Sequence, residues 1–225
     1  MQLLLRAHKM GGTATMIDSS QLSWSRLMQW RTECHRRFGS IHDLPISSIQ
    51  AELQRLLEPD SRVLDVGSGA HKPFQNAVTR VSRSYFSMDT DPDGTFDFRS
   101  FDDVPEDVHF DLIMANQVLE HLTVDAAFAM VSAAFQRLSQ GGRILATVPN
   151  TAHPVRQRDC THITAWPAND LYSLLRSAGF GVDSMARYNK FPLTSNPLKR
   201  WVIRTVCHEF RVDWCDSILA VATKE

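Results

Sequence analysis

Apolar positions in this chain follow two periods. At 49–57, Ile49, Leu53, Leu56 and Leu57 recur at helical spacing, and Ser47 with Gln50 reads as the cap of that helix. Short apolar runs at 62–66 (RVLDV), 85–89 (YFSMD), 110–116 (FDLIMAN) and 143–148 (RILATV) read instead as buried strands. Before the last of these, Ala127, Met130, Val131, Ala134 and Leu138 mark one face of a helix that Gly141 and Gly142 are expected to stop. Pro167 opens a further helix carrying Leu171, Leu174, Leu175 and Ala178, and Gly179 closes it. Strands follow at 182–187 and 217–223. Alternation of strands and helices of this length predicts an α/β fold, a mainly parallel sheet with helices on both faces.

Two segments fall outside that alternation. The stretch SWSRLMQWRTEC at 23–34 carries aromatic and apolar groups at helical spacing, which suits a lid over a ligand mouth or plain core equally well. The connection at 191–214 is longer than a hairpin needs, which favours a functional insertion, and Asn196-Pro197 within it reads as a helix start. Residues 1–20 are expected to be a disordered lead. The remainder is expected to be one domain at 21–225: a helical lid at 21–46, a ligand-binding core at 47–150 and a substrate-side half at 151–225.

Composition narrows the function classes. With 225 residues and 43% hydrophobic content the chain can bury a full core, while no segment approaches the roughly 20 apolar residues that span a bilayer, so no membrane association is expected. A formal net charge of -1 without a basic run gives no sign of a nucleic-acid partner. The basic cluster at 190–204 reads as solvated surface. Four dispersed cysteines, none in a CxxC pair, predict a reduced, cytoplasmic protein.

The chemistry begins at 62–71, RVLDVGSGAH. An apolar strand ends in Asp65 and runs into Gly67-Ser68-Gly69, a turn in which backbone approaches a ligand where a Cβ would collide. A dinucleotide site asks for a third small residue three places after the second glycine, and that place is Lys72. A carboxylate before the turn would also repel pyrophosphate, but it suits the ammonium of an amino acid. S-adenosylmethionine has such an ammonium and no phosphate. Asp89, twenty positions after Gly69, ends the second strand where a ribose diol donates into carboxylate oxygens.

The third element, FDLIMANQVLEHL at 110–122, completes a resemblance to the class I S-adenosylmethionine-dependent methyltransferases, specifically the small-molecule type whose fourth strand reads FD-apolar-apolar and ends in VLEH. It runs from about 56 to the C-terminus and is strongest at 62–150. It implies a Rossmann-like, seven-stranded, mainly parallel sheet whose last strand is antiparallel beside the fifth, with an N-terminal helical lid. It further implies that Asp65, Gly67, Ser68 and Gly69 cradle the methionine end. Asp89 and Thr90 then meet the ribose, and Asn116 and Gln117 line the sulfonium. Phe101 lies at the adenine position, with Ser100 where the family usually has an acid. His71 stands in place of a third glycine and is placed to reach the cofactor carboxylate. The run HKPF at 71–74 suggests a shortened first helix.

A sulfonium is already activated for displacement, so orienting the acceptor supplies most of the rate, and a base helps where the acceptor carries a proton. His121, just after the cofactor strand, and His153 and His162, on the loop leaving the fifth strand, are the candidate catalytic residues. Arg156 and Arg158 on that loop suit an anionic substrate group. Cys160, His162 and His153 are zinc-ligand types, but their spacing fits no ligand pattern, so metal-independent chemistry is expected. The expected activity is methyl transfer to an oxygen or nitrogen of a small-molecule acceptor. Two alternatives remain open at this level: a protein that binds the cofactor without turnover, and a nicotinamide-dependent oxidoreductase.

Overall fold

The computed structural model describes residues 23–154, 159–189 and 194–225. The expectations for 1–20, for Arg156 and Arg158, and for the start of the 191–214 connection lie outside these residues. Seven strands form one sheet: β1 (Ile46–Ser47), β2 (Arg62–Val66), β3 (Ser84–Met88), β4 (Phe110–Asn116), β5 (Leu138–Pro149), β6 (Phe180–Tyr188) and β7 (Ser217–Lys224). Their order is β1-β6-β7-β5-β4-β2-β3. Every neighbouring pair is parallel except those of β7, which enters antiparallel between β5 and β6, as the resemblance implied.

The two faces of the sheet separate by alternation along each strand. Ile113 and Ala115 of β4, Ile144, Ala146 and Val148 of β5 and Ile218, Ala220 and Ala222 of β7 face one core. That core is covered by α4 (Val124–Arg137) and α5 (Ala168–Ser177). Leu112, Met114, Leu145, Leu219 and Val221 face the other, under α2 (Ile49–Leu56) and α3 (Gln75–Thr79). Strands buried on both faces have no polar side to present, which is why they read as continuous apolar runs.

Three local readings need correction. Six strands were legible, and the seventh is β1, within and just beyond the segment expected to be lid. It exists because Ile46 and Ser47 pair with Arg187 and Tyr188 of β6. The helix after it is therefore capped by Ser48, whose hydroxyl accepts from the Ala51 N–H at 3.1 Å, while Ser47 donates to Glu52 at 2.7 Å. Gly141 and Gly142 do not stop α4, which ends at Arg137. They sit in an irregularity of β5, where the pairing with β4 jumps from Leu138 to Arg143.

Helix α1 (Trp24–Phe38) lies on α5. Arg31 grips both oxygens of Asp170 at 2.5 and 2.9 Å, Tyr172 donates to Glu33 at 2.6 Å, and Cys34 is buried 3.9 Å from the Met185 sulfur. Its inner side lines a cleft of about 270 Å³ with Asn150, Thr151 and Ala152, the residues leaving β5. Helix α6 (Pro197–Glu209) starts at an Asn196 cap as expected, and it exposes Leu198, Trp201 and Val202. Among the described residues no helix is long and apolar enough to cross a membrane.

Asn150 holds the exit of β5 in place. Its amide donates to Asp213 Oδ2 at 2.9 Å and to the Cys215 carbonyl at 2.8 Å, and its carbonyl accepts from the Ala152 N–H at 3.0 Å. Asp213 is buried, with Arg187 at 3.3 Å supplying charge. Asn150→Ala leaves those acceptors short of donors and is expected to lower unfolding free energy by about 1–3 kcal/mol in urea titration. An unchanged midpoint would show that the exit loop is held by other contacts.

Candidate active site

The sheet order reverses between β2 and β4, so the carboxyl ends of β2, β3 and β4 border one crevice, where open α/β sheets bind ligands. Asp65 near the end of β2 is 1% exposed. Burial pushes its carboxyl up to about 6, against the Tyr85 hydroxyl that donates to it at 2.8 Å, and the nearby charge of Asp89 pushes the same way. The turn that follows has φ +69° at Gly67 and +62° at Gly69. A Cβ on Gly67 would stand 2.4 Å from Val118 Cγ2, whereas the Cβ position of Gly69 meets nothing within 4 Å. One glycine is required by packing and the other opens the backbone to the crevice.

The turn is fastened to β3. Gly67 N–H donates to the Met88 carbonyl at 2.8 Å and Gly69 N–H to Asp89 Oδ2 at 2.8 Å, while Asp89 Oδ1 accepts from the Asp91 N–H at 3.0 Å. Ser68 buries its hydroxyl with no hydrogen-bond partner among the described residues. His71 and Thr90 are exposed beside the turn. Lys72 takes a positive φ of 43°, and the helix after it, α3, has only five residues, matching the shortened first helix expected.

Asn116 and Gln117 close β4 under the control of one hydroxyl. Thr147 of β5 donates to Asn116 Oδ1 at 2.7 Å and accepts from Gln117 Nε2 at 3.2 Å, and Gln117, at φ +54°, donates its N–H to the Thr147 carbonyl at 3.1 Å. Ser100 and Phe101 lie at a 3-10 turn, Phe101–Asp103. The Ser100 hydroxyl is engaged in capping, accepting from the Asp102 N–H at 3.2 Å, and the half-buried Phe101 ring packs against the core.

The histidines divide. His121 and His162 meet edge-on with ring centroids 4.8 Å apart, whereas His153 lies against Trp214 with centroids at 6.1 Å. The first two are joined because the chain at 161–166 is strapped across the turn Leu119–His121. The Glu120 carbonyl accepts from Ile163 and Thr164 at 2.8 and 3.0 Å, and Trp166 donates to the Leu119 carbonyl at 3.0 Å. Cys160 is exposed.

Between these histidines sits a residue the sequence reasoning passed over. Glu120 is 1% exposed, and both carboxylate oxygens are buried with no hydrogen-bond partner among the described residues. Burial pushes it up to about 7 against the opposing pull of its own backbone N–H, and the charge of Asp159 adds to the rise. It lines a cleft of about 110 Å³ with Thr151, His162 and Trp166. The available signal was a carboxylate beside His121 within the otherwise apolar run VLEHL, a residue that must be buried if its neighbours are.

Comparison with known proteins agrees with this geometry. The family model described as a methyltransferase domain matches residues 17–185. A S-adenosylmethionine-dependent methyltransferase from Archaeoglobus fulgidus is similar in structure, with TM-score 0.58 and 18% identity over 86% of this chain and 99% of that one. The complex of the Haloferax volcanii Trm112 activator with its methyltransferase is similar at TM-score 0.58 and 16% identity, over 93% and 97% of the two chains. The N-methyltransferase NodS of Bradyrhizobium japonicum, solved with S-adenosylhomocysteine, is similar at TM-score 0.53 and 14% identity, over 77% and 84%. No curated protein matches the chain. With three quarters of its length matched and the β7 insertion in place, this chain belongs to the class I S-adenosylmethionine-dependent methyltransferases.

Proposed function

We propose that this enzyme transfers a methyl group to an oxygen or nitrogen of a small-molecule acceptor. The observation that carries the reading is a glycine turn open at Gly69 between two carboxylates, Asp65 and Asp89, together with a cleft after β4 lined by Glu120 and His162. The turn suits S-adenosylmethionine. A buried carboxyl raised to about 6 gains from a nearby cation, which the ammonium of the methionine end supplies, and Ser68 has a hydroxyl in want of a partner. Bound there, the cofactor contributes an activated methyl.

The residues then divide the labour. Asp65, Gly67, Ser68 and Gly69 hold the amino-acid end, with His71 near its carboxylate. Each Asp89 oxygen accepts one backbone N–H and retains a lone pair for a ribose hydroxyl, beside Thr90. Phe101 gives adenine an apolar surface and Ser100 shapes its turn. Asn116 and Gln117, held by Thr147, border the sulfonium. His162 faces the acceptor in the 110 Å³ cleft with His121 against its ring, and His153 lies further along the exit loop of β5. Helix α1 covers this side as a lid. A net charge of -1 and a cleft of this size support a small acceptor over a nucleic acid.

Calorimetry with S-adenosylhomocysteine tests the assignment. Asp65→Asn and Asp89→Ala are each expected to weaken binding at least tenfold, about 1.4 kcal/mol or more. Asp65→Asn is expected to do so without lowering the melting temperature at pH 7, because it removes a buried charge. Unchanged affinity in the double variant would end the reading.

Affinity is also expected to depend on pH through Asp65. Its folded, unliganded pKa of about 6 means that protons compete with the ammonium below that value, so binding strengthens as pH rises from 5 to 6 and levels off above 7. In Asp65→Asn that part of the profile should be flat. A wild-type profile already flat across this window would place the ammonium elsewhere.

A further inference from the structure

We propose that Glu120, His121 and His162 form a binding site for a divalent transition-metal cation of the zinc type at the floor of the acceptor cleft. One ligand atom from each lies within 4.8 Å of the others. An ion with arms of about 2.1 Å holds tetrahedral ligands about 3.4 Å apart, so small side-chain rotations seat it.

Three features support a cation over packing alone. First, a carboxylate 1% exposed with both oxygens lacking a partner is an unfavourable burial unless it is protonated or meets a positive ion, and no salt bridge reaches Glu120 among the described residues. Second, His121 is already oriented from behind. Its Nδ1 lies 3.2 Å from the Thr161 carbonyl and 3.0 Å from the Thr161 hydroxyl, and that hydroxyl donates to Asp159 at 2.7 Å. With Nδ1–H donating to the carbonyl, Nε2 carries the lone pair, which is the outer-shell arrangement that fixes metal-bound imidazoles. Third, the set has two nitrogens and one carboxylate. That suits zinc or cobalt rather than magnesium, calcium or manganese, which favour oxygen-rich shells.

Three protein ligands leave a position open, and the cleft beside it is lined by Thr151 and Pro149. The chemical consequence rests on the methyltransferase reading above. An acceptor hydroxyl at that position loses its proton to solvent more readily beside the cation's charge. Its oxygen then forms the bond to the methyl carbon as the carbon–sulfur bond breaks, with the electron pair leaving on sulfur. This site replaces the metal-independent chemistry expected from sequence, where Cys160, His162 and His153 had been weighed together. The fold pairs His162 with Glu120 and His121 instead.

The test uses tag-free full-length protein stripped with EDTA and titrated with Zn²⁺ by calorimetry and with Co²⁺ by visible absorption. One equivalent is expected to bind. Glu120→Gln and His162→Ala should each weaken it by at least tenfold, about 1.4 kcal/mol or more, while Cys160→Ser has no effect. His162 lies in the strap rather than the core, so its variant reports even where Glu120→Gln unfolds. S-adenosylhomocysteine binding is measured on the same samples and is expected to persist in both variants. Zn²⁺ binding that is absent, or unaltered in His162→Ala, overturns the metal site while leaving the methyltransferase reading to its own test.

Discussion

The site depends on one hydrogen bond between elements twenty residues apart, the Gly69 N–H donating to Asp89 at 2.8 Å. It draws the turn after β2 onto the end of β3, and so sets two carboxylates near one another at the mouth of the crevice. The mutual repulsion is visible in Asp65, which burial and the neighbouring charge hold mostly protonated below about pH 6. The turn between the two carboxylates is held by bonds from backbone to backbone and from backbone to carboxylate. Such preorganisation lowers the ordering that a ligand must otherwise impose on binding.

A second, independent fastening lies at the end of β4. Thr147 orders Asn116 and Gln117, and the strap at 161–166 lies over the turn Leu119–His121 through the Glu120 carbonyl and the Trp166 indole. The strap brings His162 to His121 and encloses Glu120. Polar groups here are held by contacts from distant segments, while the strands beneath bury apolar side chains on both faces. Rigid sheet below and strapped loops above is how α/β folds position side chains precisely at a surface.

Much of this was legible along the chain. The strands read as apolar runs because both faces are covered, and the glycine turn was identifiable because positive φ at Gly67 and Gly69 is a local requirement. The Asn196 cap and the shortened helix after His71 were equally local. What the sequence analysis missed required a partner far away. Ile46 and Ser47 are a strand only beside Arg187 and Tyr188, and that pairing moves the helix cap from Ser47 to Ser48. Gly141 and Gly142 were assigned to a helix end, but the tertiary pairing of β4 with β5 absorbs them as an irregularity.

Sequence alone therefore determined the sheet's buried strands, the glycine turn and its flanking carboxylates, since each rests on a residue's own backbone freedom or on a short-range period of burial. Tertiary structure decided which histidines meet. His121 and His162 are separated by forty residues and His153 is nearer to His162 in the chain, yet only the strap's hydrogen bonds select the first pair. The same enclosure turned Glu120 from an unremarked letter in an apolar run into a buried carboxylate without a partner, because desolvation is a property of what packs around a group and not of the group itself.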